Sequence, residues 1–238
     1  MSVYVMSDLH GRKDKYKLAL QKLNEEDHLY ILGDVIDRGN DGVAILLDIM
    51  QRKNVTLLMG NHEKMMVDFL RADEDGIGTK EDYELHNARW NRNGSEPTKK
   101  AYNALDLTTK QALRRFLDQL PYAICDLEVN GRIFYLCHAY PIQRSEGILY
   151  EKDLSEEECQ ALTWNRFNWG EVPDNQRINI VGHTPTPYYQ ERFPVCIYED
   201  LNEADTEGLI DVDCGLASKN DHARAGLLCL DDLSVCYL

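Results

Sequence analysis

The 238 residues carry 41 acidic and 26 basic side chains, a formal charge of −15, with 43% hydrophobic and 28% charged residues. So acidic a surface repels nucleic-acid backbones and anionic membranes, and no apolar run nears the roughly 20 residues that span a bilayer. The seven cysteines (Cys125, Cys137, Cys159, Cys196, Cys214, Cys229 and Cys236) are odd in number and form no C-x-x-C pair, which sets aside a disulfide framework or a thiolate zinc site, and several sit inside apolar runs that suit buried free thiols.

The chain opens on "MSVYVMSDLH", without the basic and long apolar regions of a secretory signal, so a cytoplasmic protein is expected. "SVYVM" reads as a strand and precedes the helical "KYKLALQKLN"; "HLYIL" precedes "DGVAILLDIM", and "VTLLM" precedes "EKMMVDFL". Strands alternating with helices predict a parallel sheet covered by helices. Residues 72–120 are polar and helical without a good strand, and "TTKQALRRFLDQLP" offers a Thr108/Gln111 capping box and a stop at Pro121. This stretch is expected to be a helical insertion over one side. From Tyr122 strand signals dominate: "YAICDLEV" and "RIFYLCHA" flank the hairpin turn Asn130–Gly131, and "INIVGH", "VCIY", "GLIDV", "AGLLCL" and "SVCYL" follow. A second capping box, Ser155 with Glu158, opens a short helix. The expected fold is α/β, one domain over residues 1–238 with two packed sheets and outer helices.

Five of the apolar runs end within a residue or two of a metal-ligand type. "SVYVM" leads to Asp8 and His10, "HLYIL" to Asp34, "VTLLM" to Asn61 and His62, "RIFYLC" to His138 and "INIV" to His183. In α/β sheets the carboxyl ends of the strands line the ligand crevice. Any one of these residues alone would be a turn residue or a satisfied histidine. Jointly they collect four of the seven histidines at one edge, leaving out only His28, His86 and His222. Carboxylate, imidazole and amide without thiolate suit Mn, Fe or Zn. The donors are too many for one ion with open coordination; two ions sharing a carboxylate, about 3.5–4 Å apart, would use them all.

The segments "DLHG", "GDVIDRG", "GNHE", "HA" and "GHTP", in that order, resemble the phosphoprotein phosphatase branch of the binuclear metallophosphatases. "CHA" at 137–139 and "WNR" at 164–166 are similar to segments of the small bacterial and phage-type Ser/Thr protein phosphatases. "GDxxDRG" followed by "GNHE" is specific jointly; residues 72–120 and the last 50 residues carry no such signature. The resemblance implies a two-sheet α/β/β/α sandwich and two divalent metal ions, in the first place Mn2+ with Fe or Zn as options. It further implies that Asp8 and His10 hold the first ion, Asp34 bridges, and Asn61, His138 and His183 complete the second. His62 would be the general acid oriented by Asp37, with Arg38 and Arg166 on the substrate phosphate. Asp211 or Asp213 in "IDVDCG" would support the site from behind or simply form a strand-end turn, and Trp164 and Trp169 are read as packing residues.

The implied reaction is hydrolysis of a phosphate monoester by a water that the two ions activate, with a phosphorylated protein or small phosphomonoester as substrate and no nucleic acid or membrane as partner. No phosphoenzyme is expected: Cys159 and Arg166 are seven apart, not the six of a Cys-x5-Arg arrangement. Asp37 in "DRG" and Glu63 in "NHE" fit the protein-phosphatase branch. The alternatives are a symmetrical dinucleoside tetraphosphatase, whose core is similar, and a non-catalytic metal-bound scaffold.

Overall fold

The structure is a computed structural model that describes every residue except Ser145, Trp169, Asp174, Asn175 and 219–221. Trp169 thus lies outside the described residues. Strands β1 (Val3–Met6), β2 (His28–Ile31) and β3 (Val55–Leu57) pair in parallel, joined by α1 (Lys13–Leu20) and α2 (Gly42–Ile49), with α3 (Asn61–Asp73) after β3. Later strands complete two sheets. The second is built from β4 (Ala123–Val129), β5 (Arg132–Cys137), β6 (Ile148–Leu149), β7 (Ile178–Val181), β8 (Tyr198–Leu201) and β9 (Gly208–Asp211). Its order is β6-β4-β5-β7-β9-β8, with β5, β7 and β9 parallel. Then β10 (Gly226–Cys229) and β11 (Val235–Tyr237) return to extend the first sheet to β11-β10-β1-β2-β3.

Side-chain alternation explains how the sheets stack. Val3, Val5 and Leu228 of the first sheet form one apolar cluster with Phe134, Leu136, Ile178, Ile180 and Ile210 of the second. The opposite strand faces (Met6, Leu29 and Ile31; Tyr135, Cys137 and Leu209) pack with helix residues such as Leu46, Leu70 and Leu117. The result is the expected α/β two-sheet sandwich with outer helices. The Asn130–Gly131 turn holds both residues at positive φ (50° and 79°), the conformation a two-residue hairpin needs. Among the described residues, no helix is long and apolar enough to cross a membrane.

Between β3 and β4 lie α4 (Lys80–Arg92), α5 (Glu96–Asn103) and α6 (Leu107–Leu117), and α7 (Glu156–Trp164) begins at the expected Ser155 box. Two sequence expectations need correction. The α6 cap is Asp106, not Thr108: its carboxylate takes the Thr109 N–H at 3.0 Å, placing Thr108 inside the first turn. "VCIY" is not a strand up to Tyr198: the Cys196 carbonyl is taken by Thr186 Oγ1 at 2.7 Å, so the ladder with β9 starts only at Tyr198. All seven cysteines are free.

Candidate active site

The parallel strands of both sheets, β1, β2, β3, β5, β7 and β9, point their carboxyl ends at one crevice. Asp8 and His10 follow β1, Asp34 follows β2, Asn61 and His62 open α3 after β3, His138 follows β5 and His183 follows β7. All seven side chains are buried. The loops that carry them are held to each other by backbone bonds, including His10 N–H to the Asp34 carbonyl (2.9 Å) and Gly39 N–H to the His10 carbonyl (3.1 Å). The geometry is costly. Of the ten described non-glycine residues at positive φ, six are Asp8, His10, Asp34, Asp37, Arg38 and His183. Such strain persists where the surroundings impose it, and it clusters at functional sites. Close packing imposes it here: a Cβ on Gly60 would collide with Asp34 and Glu63, and one on Gly182 with Ser7 and Asp8.

Each of three histidines is anchored through one ring nitrogen to a backbone carbonyl. His10 Nδ1 donates to Ile36 (3.0 Å), His138 Nδ1 to Leu32 (2.6 Å) and His183 Nε2 to Trp164 (3.1 Å). A carbonyl accepts only, so these nitrogens carry the protons. The other nitrogens are bare and face inward. His10 Nε2 lies 3.6 Å from Asp34 Oδ2, His138 Nε2 3.5 Å from Asp34 Oδ1, and His138 Nε2 and His183 Nδ1 lie 2.9 and 3.1 Å from Asn61 Oδ1. With the Asn61 amide turned over, its NH2 group would instead donate to these imidazoles and to Asp34. Two overlapping groups of donors result, His10–Asp34–His62 and Asp34–His138–His183, each with atoms within 4.8 Å of one another. Asp8 Oδ1 lies 3.8 Å from His10 Nε2. Lone pairs converging on lone pairs are what divalent cations resolve, so the donor set fits the metals that the sequence implies.

Electrostatics agree. Burial, and then the charges of Asp8 and Glu63, push the Asp34 carboxyl well above the usual range. Burial first holds His10, His138 and His183 below the usual imidazole range, in the neutral state a metal ligand needs.

Beside the donors stands a second group. His62 Nδ1 donates to Asp37 Oδ2 at 2.6 Å, and Arg38 Nη2 donates to His62 Nε2 at 3.2 Å. Burial, then Arg38 and His138, lower the His62 basicity. Arg38 and Arg166 line a cavity of about 270 Å3 together with Trp164, Tyr188 and Asp213. Arg166 bonds the His183 carbonyl at 3.4 Å. The structure thus brings eight of the ten expected site residues to the wall of one cavity, and Asp37 and His138 stand behind it against His62 and Asn61. It also separates the two acids of "IDVDCG": Asp213 faces the cavity, and Asp211 lies behind it, accepting the Asp213 N–H at 2.9 Å. Trp164 packs as expected, under the Arg89 guanidinium (4.1 Å), yet it also borders the cavity.

Sequence reading missed the role of Glu63. From the first turn of α3 its buried carboxylate accepts the N–H groups of Asp34 (2.7 Å) and Val35 (2.9 Å), bracing the loop that carries the central acid. Its place directly after "NH" at a helix start was the available signal. Trp90 and Thr98, which bond Asp37, carried no signal at all.

The profile of calcineurin-like phosphoesterases matches residues 1–206. The chain belongs to this family. A symmetrical bis(5'-nucleosyl)-tetraphosphatase of Buchnera aphidicola subsp. Schizaphis graminum is 34% identical over 71 residues, which is 28% of this chain and 26% of that protein. The match therefore spans only about a quarter of the curated relative's length. Among solved structures, a candidate diadenosine tetraphosphatase shares the fold at a TM-score of 0.56 and 12% identity, covering 100% of this chain and 92% of that one. A Saccharomyces cerevisiae Ser/Thr phosphatase with similarity to human PP5 does so at 0.56 and 13%, covering 97% and 72%.

Proposed function

We propose that this phosphoesterase cleaves the phosphoanhydride chain of a dinucleoside tetraphosphate. The sequence alone ranked a phosphoprotein first; the observation that reverses the order is the identity to symmetrical tetraphosphatases. Asp8, His10 and Asp34 would hold one divalent ion, and Asp34, Asn61, His138 and His183 the other, with Mn2+ as the first choice. Bound there, such ions supply Lewis acidity toward phosphate and lower the pKa of water.

The chain's own residues do the rest. Arg38 and Arg166 offer planar forks that match phosphate oxygens. A phosphate that draws the Arg38 guanidinium to itself frees His62 Nε2 from its present partner. That nitrogen can then carry a proton to the departing oxygen. Asp37 keeps the Nδ1–H tautomer in place and offsets the imidazolium charge. The bond from water oxygen to phosphorus forms as the bond to the leaving oxygen breaks; the attacking water gives up a proton to solvent, and His62 Nε2, a bare acceptor while Arg38 holds it, takes the proton it delivers from solvent once freed.

A second reading, a Ser/Thr phosphoprotein phosphatase, is favoured by that Asp37–His62 pair, since a serine alkoxide needs protonation far more than a nucleotide phosphate does. A parallel assay with Mn2+ separates the two. Diadenosine tetraphosphate should be split into two ADP with a kcat/KM at least about tenfold above that of phosphoserine and phosphotyrosine peptides. The opposite ranking would establish the phosphoprotein reading. No turnover of any substrate with any divalent ion would leave the scaffold.

A further inference from the structure

The segment from α4 to α5 is more than a cover over the sandwich. It makes three hydrogen bonds to the two residues next to the proposed acid. The Trp90 indole N–H donates to Asp37 Oδ2 at 2.8 Å, the Asp37 N–H donates to Thr98 Oγ1 at 2.9 Å, and the Arg38 N–H donates to the Gly94 carbonyl at 2.9 Å. Trp90 is 1% exposed and Asp37 fully buried. The indole is itself gripped, with Phe69 of α3 at 5.2 Å between ring centroids and Lys99 Nζ 4.9 Å from the ring.

The arrangement is asymmetric. Asp37 Oδ2 receives both the Trp90 N–H and the His62 N–H, whereas Oδ1 has no hydrogen-bond partner among the described residues. With His62 as its only contact, the carboxylate could turn about its side-chain torsions and exchange oxygens. Two donors from different helices on the same oxygen fix its direction. The backbone of Asp37, at a strained φ of 67°, is clamped by Thr98 as well.

We propose that Trp90 is a positioning residue for the His62 general acid, acting through Asp37, with Thr98 as its backbone counterpart. The stretch between β3 and β4 is thereby part of the catalytic apparatus. This rests on the acid role given to His62 above. A misaligned acid costs most where the leaving group most needs a proton.

The test uses the Mn2+-loaded protein and a series of aryl phosphates running from phenyl phosphate to 2,4-dinitrophenyl phosphate. Trp90→Phe keeps an aromatic ring and removes the N–H. It should lower kcat on phenyl phosphate by about tenfold, a fraction of the effect of a whole general acid. It should leave 2,4-dinitrophenyl phosphate within about twofold, with KM and bound metal unchanged. Added to Asp37→Asn, it should cause no further loss, since both act on one contact. A loss that is equal along the series, or that adds to that of Asp37→Asn, would show that Trp90 only packs. Should Trp90→Phe fail to fold, Thr98→Val must reproduce the same slope or the proposal falls. Asp37→Asn alone reports on the underlying reading: a flat profile there removes the acid role and this inference together, whereas a sloped one with a flat Trp90→Phe removes only the latter.

Discussion

His62 Nδ1 and Asp37 Oδ2 stand 2.6 Å apart in an almost wholly buried setting, and the opposite imidazole nitrogen faces the arginine-lined cavity. His62→Asn should therefore lower kcat by about 10²- to 10⁴-fold on substrates with poor leaving groups and much less on activated aryl phosphates. Metal content should stay at the wild-type level. An equal loss across leaving groups, read from steady-state kinetics, would reject the proton-donor role.

Asp34 is the acid that both donor groups share. Asp34→Asn removes the shared charge, so both ions should dissociate more readily, and elemental analysis of the dialysed variant should find well under two per chain. Chelation of the wild type should abolish activity, and added Mn2+ should restore it. Two tightly held ions in Asp34→Asn would contradict a bridging carboxylate.

Glu63 braces the Asp34 loop without facing the cavity. Glu63→Ala removes the acceptor of three buried N–H groups, those of Asp34, Val35 and Ile36. It should cost at least about 2 kcal/mol in urea unfolding and weaken metal affinity by about 10- to 100-fold. A variant as stable as wild type would mean that the loop holds its shape unaided.

Arg71 grips Glu151 through both guanidinium nitrogens, at 2.9 and 2.7 Å, tying α3 to the turn after β6. These bonds, first among several causes, hold the Glu151 carboxyl below its usual range. The stabilisation is thus complete above the ordinary glutamate pKa of about 4.3 and is lost as pH falls through the lower folded value. Glu151→Gln should cost about 1 kcal/mol near neutrality, allowing for a partly exposed pair, with the gap to wild type closing in acid. A gap that persists or widens below pH 4 would place the interaction elsewhere.

Much of the site was legible because its residues sit directly behind apolar runs, and strand ends in parallel sheets have a fixed direction. Asp8, Asp34 and His138 needed only that rule. What the rule could not reach were contacts set by how distant helices pack. The Trp90 indole reaches Asp37 across 53 residues, and nothing in the polar α4 sequence distinguishes that tryptophan from a core residue. Local competition was also unreadable: Asp106 outbid Thr108 as the α6 cap, and hydrogen bonds from Thr186 and Gln190 took the backbone that "VCIY" offered to a strand.

The donors His10, Asp34 and Asn61 hang from one sheet, and His138 and His183 from the other. A cation held by Asp34 and Asn61 on one side and His138 and His183 on the other would act as a rivet across the seam, joining parts of the chain separated by up to 149 positions, from residue 34 to residue 183. Heat resistance should then climb with free Mn2+ concentration, and a chelator should loosen the whole sandwich, not merely silence its chemistry.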